Sequence, residues 1–202
     1  TKNLILVKSF SSMQLLYESL MGFSEHTSGH IKFDSLLIED LDIGAIRNYI
    51  QIIRHDQFFS GTIMENLIGL GNRHYTKTEI EGVLKRVGLD ENIAKLPEGL
   101  ETKIRPNGYP LSKSQILALQ IARAILLKPR ILLVTPDFEQ ISTYKRKLVY
   151  QELLSRENPW TLLFFTQRFY KGSYDRYSML ERASMKELNG SEDLLKEIEN
   201  YG

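Results

Sequence analysis

Three cations and two acids are the groups this chain offers for phosphate and metal chemistry. Lys8 follows the apolar run 4–7, Arg54 follows the run 49–53, and Lys113 lies within Leu111-Ser112-Lys113-Ser114-Gln115. Asp137 and Glu139 come after the apolar run 131–134, separated from it by Thr135 and Pro136. Cations neutralise phosphate oxygens, and a carboxylate at a strand end holds Mg²⁺. Pro136 fixes a turn between strand and acid, so Asp137 reads as an aspartate in a polar turn unless a shifted register recruits it or Glu139. A phosphate loop of the form G-x-x-x-x-G-K-[ST] needs glycines so that backbone N–H groups can close around the phosphates. The stretch Val7-Lys8-Ser9-Phe10-Ser11-Ser12-Met13-Gln14 has none. His26, His30, His55 and His74 are scattered without metal-ligand spacing and read as ordinary polar residues; no metal site is expected. No nucleophile elbow and no paired-carboxylate arrangement stands out.

The elements that must position these groups belong to an ordinary globular chain. At 202 residues, 42% hydrophobic and 25% charged, there is enough apolar surface for one substantial domain or a domain with an inserted lobe. The 26 basic and 25 acidic residues are mixed along the chain and leave a net charge of +1, which gives no electrostatic case for nucleic acid as the partner. The absence of cysteine excludes a disulfide framework. No apolar run approaches the roughly 18 residues that span a bilayer. The opening residues do not read as a signal peptide.

The run 4–7 predicts a short buried strand. Met13, Leu15, Leu16, Leu20 and Met21 predict a helix over 13–22, with Gly22 at its end. The run 31–38, interrupted by Asp34 and Ser35, predicts a hairpin, and 49–53 another strand. Between 66 and 124 the period is helical, with Ile80, Val83, Leu84 and Val87 on one face. Strands over 131–134 and 161–166 flank a helix holding Leu148, Val149, Leu153 and Leu154, and Ser191 is the expected N-cap of a terminal helix over 191–200. Strands alternating with helices predict an α/β fold with a largely parallel sheet covered on both faces.

Several stretches in their order resemble the nucleotide-binding domain of ABC transporters of the exporter kind. They are Gly22-Phe23 with Thr27-Ser28-Gly29-His30-Ile31-Lys32-Phe33-Asp34; Leu41-Asp42-Ile43 with Ile46-Arg47; and Ser60-Gly61-Thr62-Ile63 with Glu65-Asn66. Leu96-Pro97-Glu98-Gly99-Leu100-Glu101-Thr102, the helix ending Ala122-Arg123-Ala124-Ile125-Leu126-Leu127-Lys128-Pro129, and Gly190, Glu192, Leu194 and Leu195 complete the likeness. The resemblance implies an ABC-ATPase-like α/β fold: a RecA-like parallel-sheet core over 1–65 and 125–202, with an inserted helical subdomain over 66–124. It also implies that the chain is the C-terminal part of a longer protein with a transmembrane domain; the family's two further strands, with an adenine-stacking aromatic, either lie in an N-terminal part or are absent altogether.

At the family's functional positions this sequence departs from the pattern. In the phosphate loop the degenerate positions are Lys8, at the loop's start, Ser12, Met13 and Gln14, with Met13 at the lysine position and no glycine anywhere in the stretch. Arg54 stands for the glutamine between the lobes. In the signature loop Ser112 and Gln115 remain, while Lys113 and Ser114 replace glycines. Thr135 and Pro136 stand for the acidic pair, and Gln167 for the histidine that contacts the terminal phosphate. Ile116 and Leu117, at positions usually charged in the family, read as core. Phosphoryl transfer depends on that charge array. The resemblance therefore implies a pseudo-ATPase, not an enzyme, without bound ATP or Mg²⁺. Its partners would be a transmembrane domain, met near 58–61 and 66–75, and a second nucleotide-binding domain in a homo- or heterodimer at the cytoplasmic face of a membrane. Two alternatives stand beside it. One is an ATP-binding and hydrolysing domain with substituted ligands, using Lys8, Arg54 and Lys113 for phosphate and Asp137 or Glu139 for metal. The other is a soluble interaction module no longer linked to transport.

Overall fold

Runs of β-branched and aromatic residues set the strands, and the connections between them decide which chemistry reaches the sheet edge. A computed structural model describes residues 1–24, 30–55, 60–69, 74–182 and 184–200. His26, Thr27, Ser28, Gly29, Phe58 and the stretch 70–73 lie outside them. In chain order the elements are β1 (Lys2–Val7), α1 (Phe10–Leu20), β2 (Lys32–Phe33), β3 (Leu36–Leu37), α2 (Ile43–Arg47), β4 (Ile50–Ile53), α3 (Ile63–Ile68) and α4 (Lys77–Arg86). There follow α5 (Asp90–Ala94), α6 (Lys113–Leu127), β5 (Ile131–Val134), α7 (Thr143–Leu154), β6 (Thr161–Thr166), β7 (Arg176–Glu181), β8 (Ser184–Leu188) and α8 (Ser191–Glu199). The chain divides into two compact units. One comprises Thr1–Ile52, Pro129–Pro136 and Trp160–Gly202; the other comprises Ile53–Lys128 and Asp137–Pro159.

The first unit is built on a sheet in the order β4-β5-β6-β1-β7-β8. Strands β5, β6, β1 and β7 run parallel, with Leu4 opposite Phe164 and Tyr177, and Val134 also opposite Phe164; β8 is antiparallel to β7. Strands β1, β5 and β6 read as continuous apolar runs, as expected of central strands in a parallel sheet covered on both faces. Ile5, Val7, Met13, Ile38, Ile46, Ile50, Leu133, Phe165 and Leu180 close one core. The hairpin β2–β3 turns at Asp34, whose φ is +55°. Helix α1 starts at Phe10, three residues earlier than the periodicity predicts, and ends before Gly22, whose φ is +65°. Strands β7 and β8 are not legible as apolar runs: in β8 only Leu188 is buried. Ser191 is the first helical residue of α8, not its cap. Gly190 takes the cap position, and Asp193 accepts from the Asn189 backbone N–H at 3.3 Å.

The second unit is helical, and three of its helix starts are closed by reciprocal side-chain bonds. Thr62 and Glu65, Thr76 and Glu79, and Ser112 and Gln115 form capping boxes on α3, α4 and α6. Gly61 has φ +77°, and a Cβ there would lie 2.0 Å from Glu65 Oε2. Only glycine leaves that carboxylate room to accept the Thr62 N–H at 2.6 Å. Helix α6 is buried on every face from Ile116 to Leu126, as expected of a central core helix, so Ile116 and Leu117 are core. It stops where Lys128 turns left-handed (φ +50°) before Pro129. Helix α7 falls in this unit, whereas the sequence-based boundary at residue 124 puts it in the sheet core. Tertiary contacts tie it there: Arg86 of α4 grips the Glu152 carboxylate of α7 with both Nε and Nη2, and Lys145 donates to Gly88 O and Asn92 Oδ1.

Candidate functional site

In an open parallel sheet, ligands are taken up at the carboxyl ends of strands where the order of connection reverses. Here β1 lies between β6 and β7, so the ends of β1, β5 and β6 bring residues 8–13, Thr135 with Pro136, and Gln167 to one edge. Only residues 8 and 9 connect β1 to α1. Ser9 is the N-cap in extended backbone, but its hydroxyl makes no cap bond and lies 2.6 Å from Ser11 Oγ. Ser12 and Met13 are each 4% exposed, and Met13 packs with Ile5, Val7 and Phe165. The side chain at the expected lysine position therefore points into the core. Gln14 donates to Glu18 Oε1 at 2.8 Å, along the helix.

Lys8 is engaged by two carboxylates. Its Nζ lies 3.0 Å from Glu197 Oε2 and 3.9 Å from Glu181 Oε2, and its side chain is 12% exposed. Thr135 is buried after β5. At the end of β6, Gln167 is exposed while Thr166 pins the turn, its hydroxyl donating to Arg168 O at 2.7 Å and accepting from Arg168 N at 2.9 Å.

The remaining predicted residues lie in the helical unit. Arg54 is held by its backbone: its N–H donates to Gln120 Oε1 at 3.0 Å, and its carbonyl accepts from Gln120 Nε2 at 2.7 Å. Gln120 is 2% exposed inside α6. It is a lone amide within Ile116-Leu117-Ala118-Leu119-Gln120-Ile121-Ala122, and that isolation was the available signal for its role. Asp137 takes His55, accepting from its backbone N–H at 3.1 Å with Oδ2 2.7 Å from Nδ1, while Gln140 Nε2 donates to Oδ1 at 3.0 Å. Sequence reasoning left this His55–Asp137 pair unrecognised because 82 positions separate its members. The turn Pro136–Gln140 is tied down by Arg146, which donates to the carbonyls of Glu139 and Ile141.

At the start of α6, Ser112 Oγ accepts from the Gln115 N–H at 3.3 Å, and Gln115 Oε1 accepts from the Ser112 N–H at 2.7 Å. Lys113 is exposed, and Ser114 Oγ accepts from the Ser142 N–H at 3.0 Å. Among the described residues no group of three or more His, Asp or Glu side chains is placed to hold a metal ion, and no helix is long and apolar enough to cross a membrane.

The family model described as ABC transporter matches residues 14–134, more than half of the chain. The chain belongs to the ABC transporter family. An uncharacterized ABC transporter ATP-binding protein of Bacillus subtilis, YknV, is 36% identical over 132 residues, covering 65% of this chain and 22% of that protein. ABC transporter B family member 29, a chloroplastic protein of Arabidopsis thaliana, is 31% identical over 182 residues, covering 87% of this chain and 28% of its own length. A bacterial Atm1-family ABC exporter solved with ATP bound superposes with a TM-score of 0.85 at 20% identity, covering all of this chain and 36% of that one. The chain thus spans between about a fifth and two fifths of the length of these ABC proteins. Its fold is the α/β fold of an ABC nucleotide-binding domain, a mostly parallel sheet with a helical unit.

Proposed function

We propose that this ABC domain is a pseudo-ATPase: a catalytically degenerate member of an exporter-like system that dimerises, couples or regulates without turning over nucleotide. One observation carries the reading. The β1–α1 connection has two residues and no glycine, and the side chain at the lysine position, Met13, is buried in the core.

The nucleotide that the family implies is a triphosphate with Mg²⁺, and the residues present do not fit it. Closing backbone donors around phosphates takes a longer glycine-bearing loop, because bulky side chains block both the positive φ values and the close approach. A thioether has no charge to offer a phosphate. Thr135 and Pro136 bring neither a metal-binding carboxylate nor a general base to the end of β5, and Gln167 cannot become cationic. Asp137 is engaged with His55 and Gln140. What the domain retains is shape: the sheet core, the capped helices and the α6 scaffold.

Under this reading the partners are the transmembrane domain of an ABC transporter and a second nucleotide-binding domain, at the cytoplasmic face of a membrane. The working site of such a pair would have to come from the partner domain.

Calorimetric titration of the purified domain with ATP, with and without Mg²⁺, tests the proposal. The expected outcome is no binding heat and no thermal shift at millimolar nucleotide. Micromolar, Mg²⁺-dependent binding would sink it.

A further inference from the structure

Lys8, the cation at the head of the β1–α1 corner, is bound by carboxylates from two other elements of the same unit. Glu197 of α8 approaches within 3.0 Å and Glu181, at the end of β7, within 3.9 Å. A second lysine, Lys186 of β8, lies 3.9 Å from the other oxygen of Glu197. The four side chains form a cluster of two positive and two negative charges in which Glu197 bridges both lysines. Lys8 and Glu197 are its sheltered members, with 12% and 24% of their side chains exposed, while Lys186 is 66% exposed. Helix α8 is seated by Leu194, which is fully buried. Its carboxylate therefore reaches Lys8 from a docked helix, and not as a chance meeting of two loose surface chains.

We infer that α8 is an autoinhibitory latch on the β1–α1 corner, with Glu197 supplying to Lys8 the negative charge that an external anion would otherwise bring. This rests on the reading above that the corner does not take nucleotide, and it names what keeps anions out: an internal counter-ion together with the missing glycines. Removing Glu197 alone leaves two lysines facing one glutamate, an excess of one positive charge at the end of β1. The latch therefore hides a latent anion site of two lysines.

Two measurements on the full chain test it. In the first, lysines are acetylated with limiting reagent and read peptide by peptide. Lys8 is expected to label at least about tenfold more slowly than the exposed Lys113, and to lose that protection in Glu197→Gln, the scale expected when a part-buried ion pair is broken. In the second, inorganic triphosphate is titrated into the wild type, Glu197→Gln and Glu181→Gln/Glu197→Gln. Wild type should be silent, the variants should bind at millimolar concentration, and Lys8→Met in the double variant should abolish the binding.

Lys8 labelling as fast as Lys113 in the wild type overturns the latch, and that result does not depend on any variant folding. Variants that expose Lys8 yet take up no triphosphate also overturn the autoinhibitory role, while leaving the pseudo-ATPase reading standing. Micromolar binding of Mg-ATP by the wild type would instead defeat that reading, and the latch with it.

Discussion

The starts of α1 and α6 are two answers to one physical problem. Each helix begins with backbone N–H groups that have no partner within the helix. In α6, Ser112 and Gln115 satisfy them reciprocally, and Ser114 binds the Ser142 backbone beyond. In α1 the N-cap Ser9 makes no such bond, no acid stands in the first turn, and the charge at the corner is met by Glu197 from another helix. Three helix starts of the helical unit, those of α3, α4 and α6, follow the local capping rule. The start of α1 departs from it at the corner that, under the pseudo-ATPase reading, stands for the phosphate loop. Packing and chemistry are separable at this corner: Met13 completes a core and carries no charge.

The strongest test of this contrast places at position 13 the lysine that the pseudo-ATPase reading expects of a working domain. Met13→Lys should destabilise the domain by about 3–5 kcal/mol, because an ammonium at a position 4% exposed is desolvated without a partner. Urea unfolding measures the loss. A stable Met13→Lys domain that binds ATP would mean that the corner is an open site after all.

Next in size is Gln120→Ala. Both backbone groups of Arg54 would lose their partner inside the helical unit, at a cost of about 2–3 kcal/mol, with faster hydrogen exchange at Arg54. Unchanged exchange would show that the amide holds nothing.

The pair of cap serines sharpens the comparison directly. Ser112→Ala should cost about 1 kcal/mol, whereas Ser9→Ala should cost less than about 0.5 kcal/mol, because only Ser112 bonds the helix start. Equal losses would erase the distinction between the two helix starts.

How far the sequence alone reaches follows from what its signals report. Apolar runs declared β1, β4, β5 and β6, because strands buried on both faces have little freedom in composition. The Ser112…Gln115 spacing that marks a resemblance to the signature loop is also a capping box, so its structural meaning was legible from local spacing. Strands β7 and β8 were hidden because β8 is an exposed edge with mixed polarity and one buried residue. The pairs Lys8–Glu197, Arg54–Gln120 and His55–Asp137 span 189, 66 and 82 positions, and no local pattern encodes partners so distant. The grouping of α7 with the helical unit was not legible for the same reason: its ties through Arg86 and Lys145 are tertiary.

The smallest expected effect distinguishes two capping boxes within the helical unit. Glu79 closes the box on α4 and Gln115 closes the one on α6. The Thr76 backbone N–H, which donates to Glu79 Oε2 at 2.7 Å, and then the Thr76 hydroxyl hold the Glu79 carboxyl below its ordinary value of 4.5. A depressed folded-state pKa contributes stability that is complete above the unfolded value and is lost as pH falls through the lowered folded value. The α4 cap should therefore loosen only in acid below about pH 4.5. Gln115 has no proton to gain, so the α6 cap should be indifferent over the same range. Hydrogen exchange at the Thr76 amide, corrected for the intrinsic pH dependence, should accelerate in that window relative to the Ser112 amide, and Glu79→Gln should remove the difference. Because Glu79 is fully exposed, the effect belongs to local fraying at the start of α4 rather than to global unfolding. Parallel acid sensitivity at both helix starts would show instead that the whole helical unit loosens together, and that carboxylates elsewhere govern it.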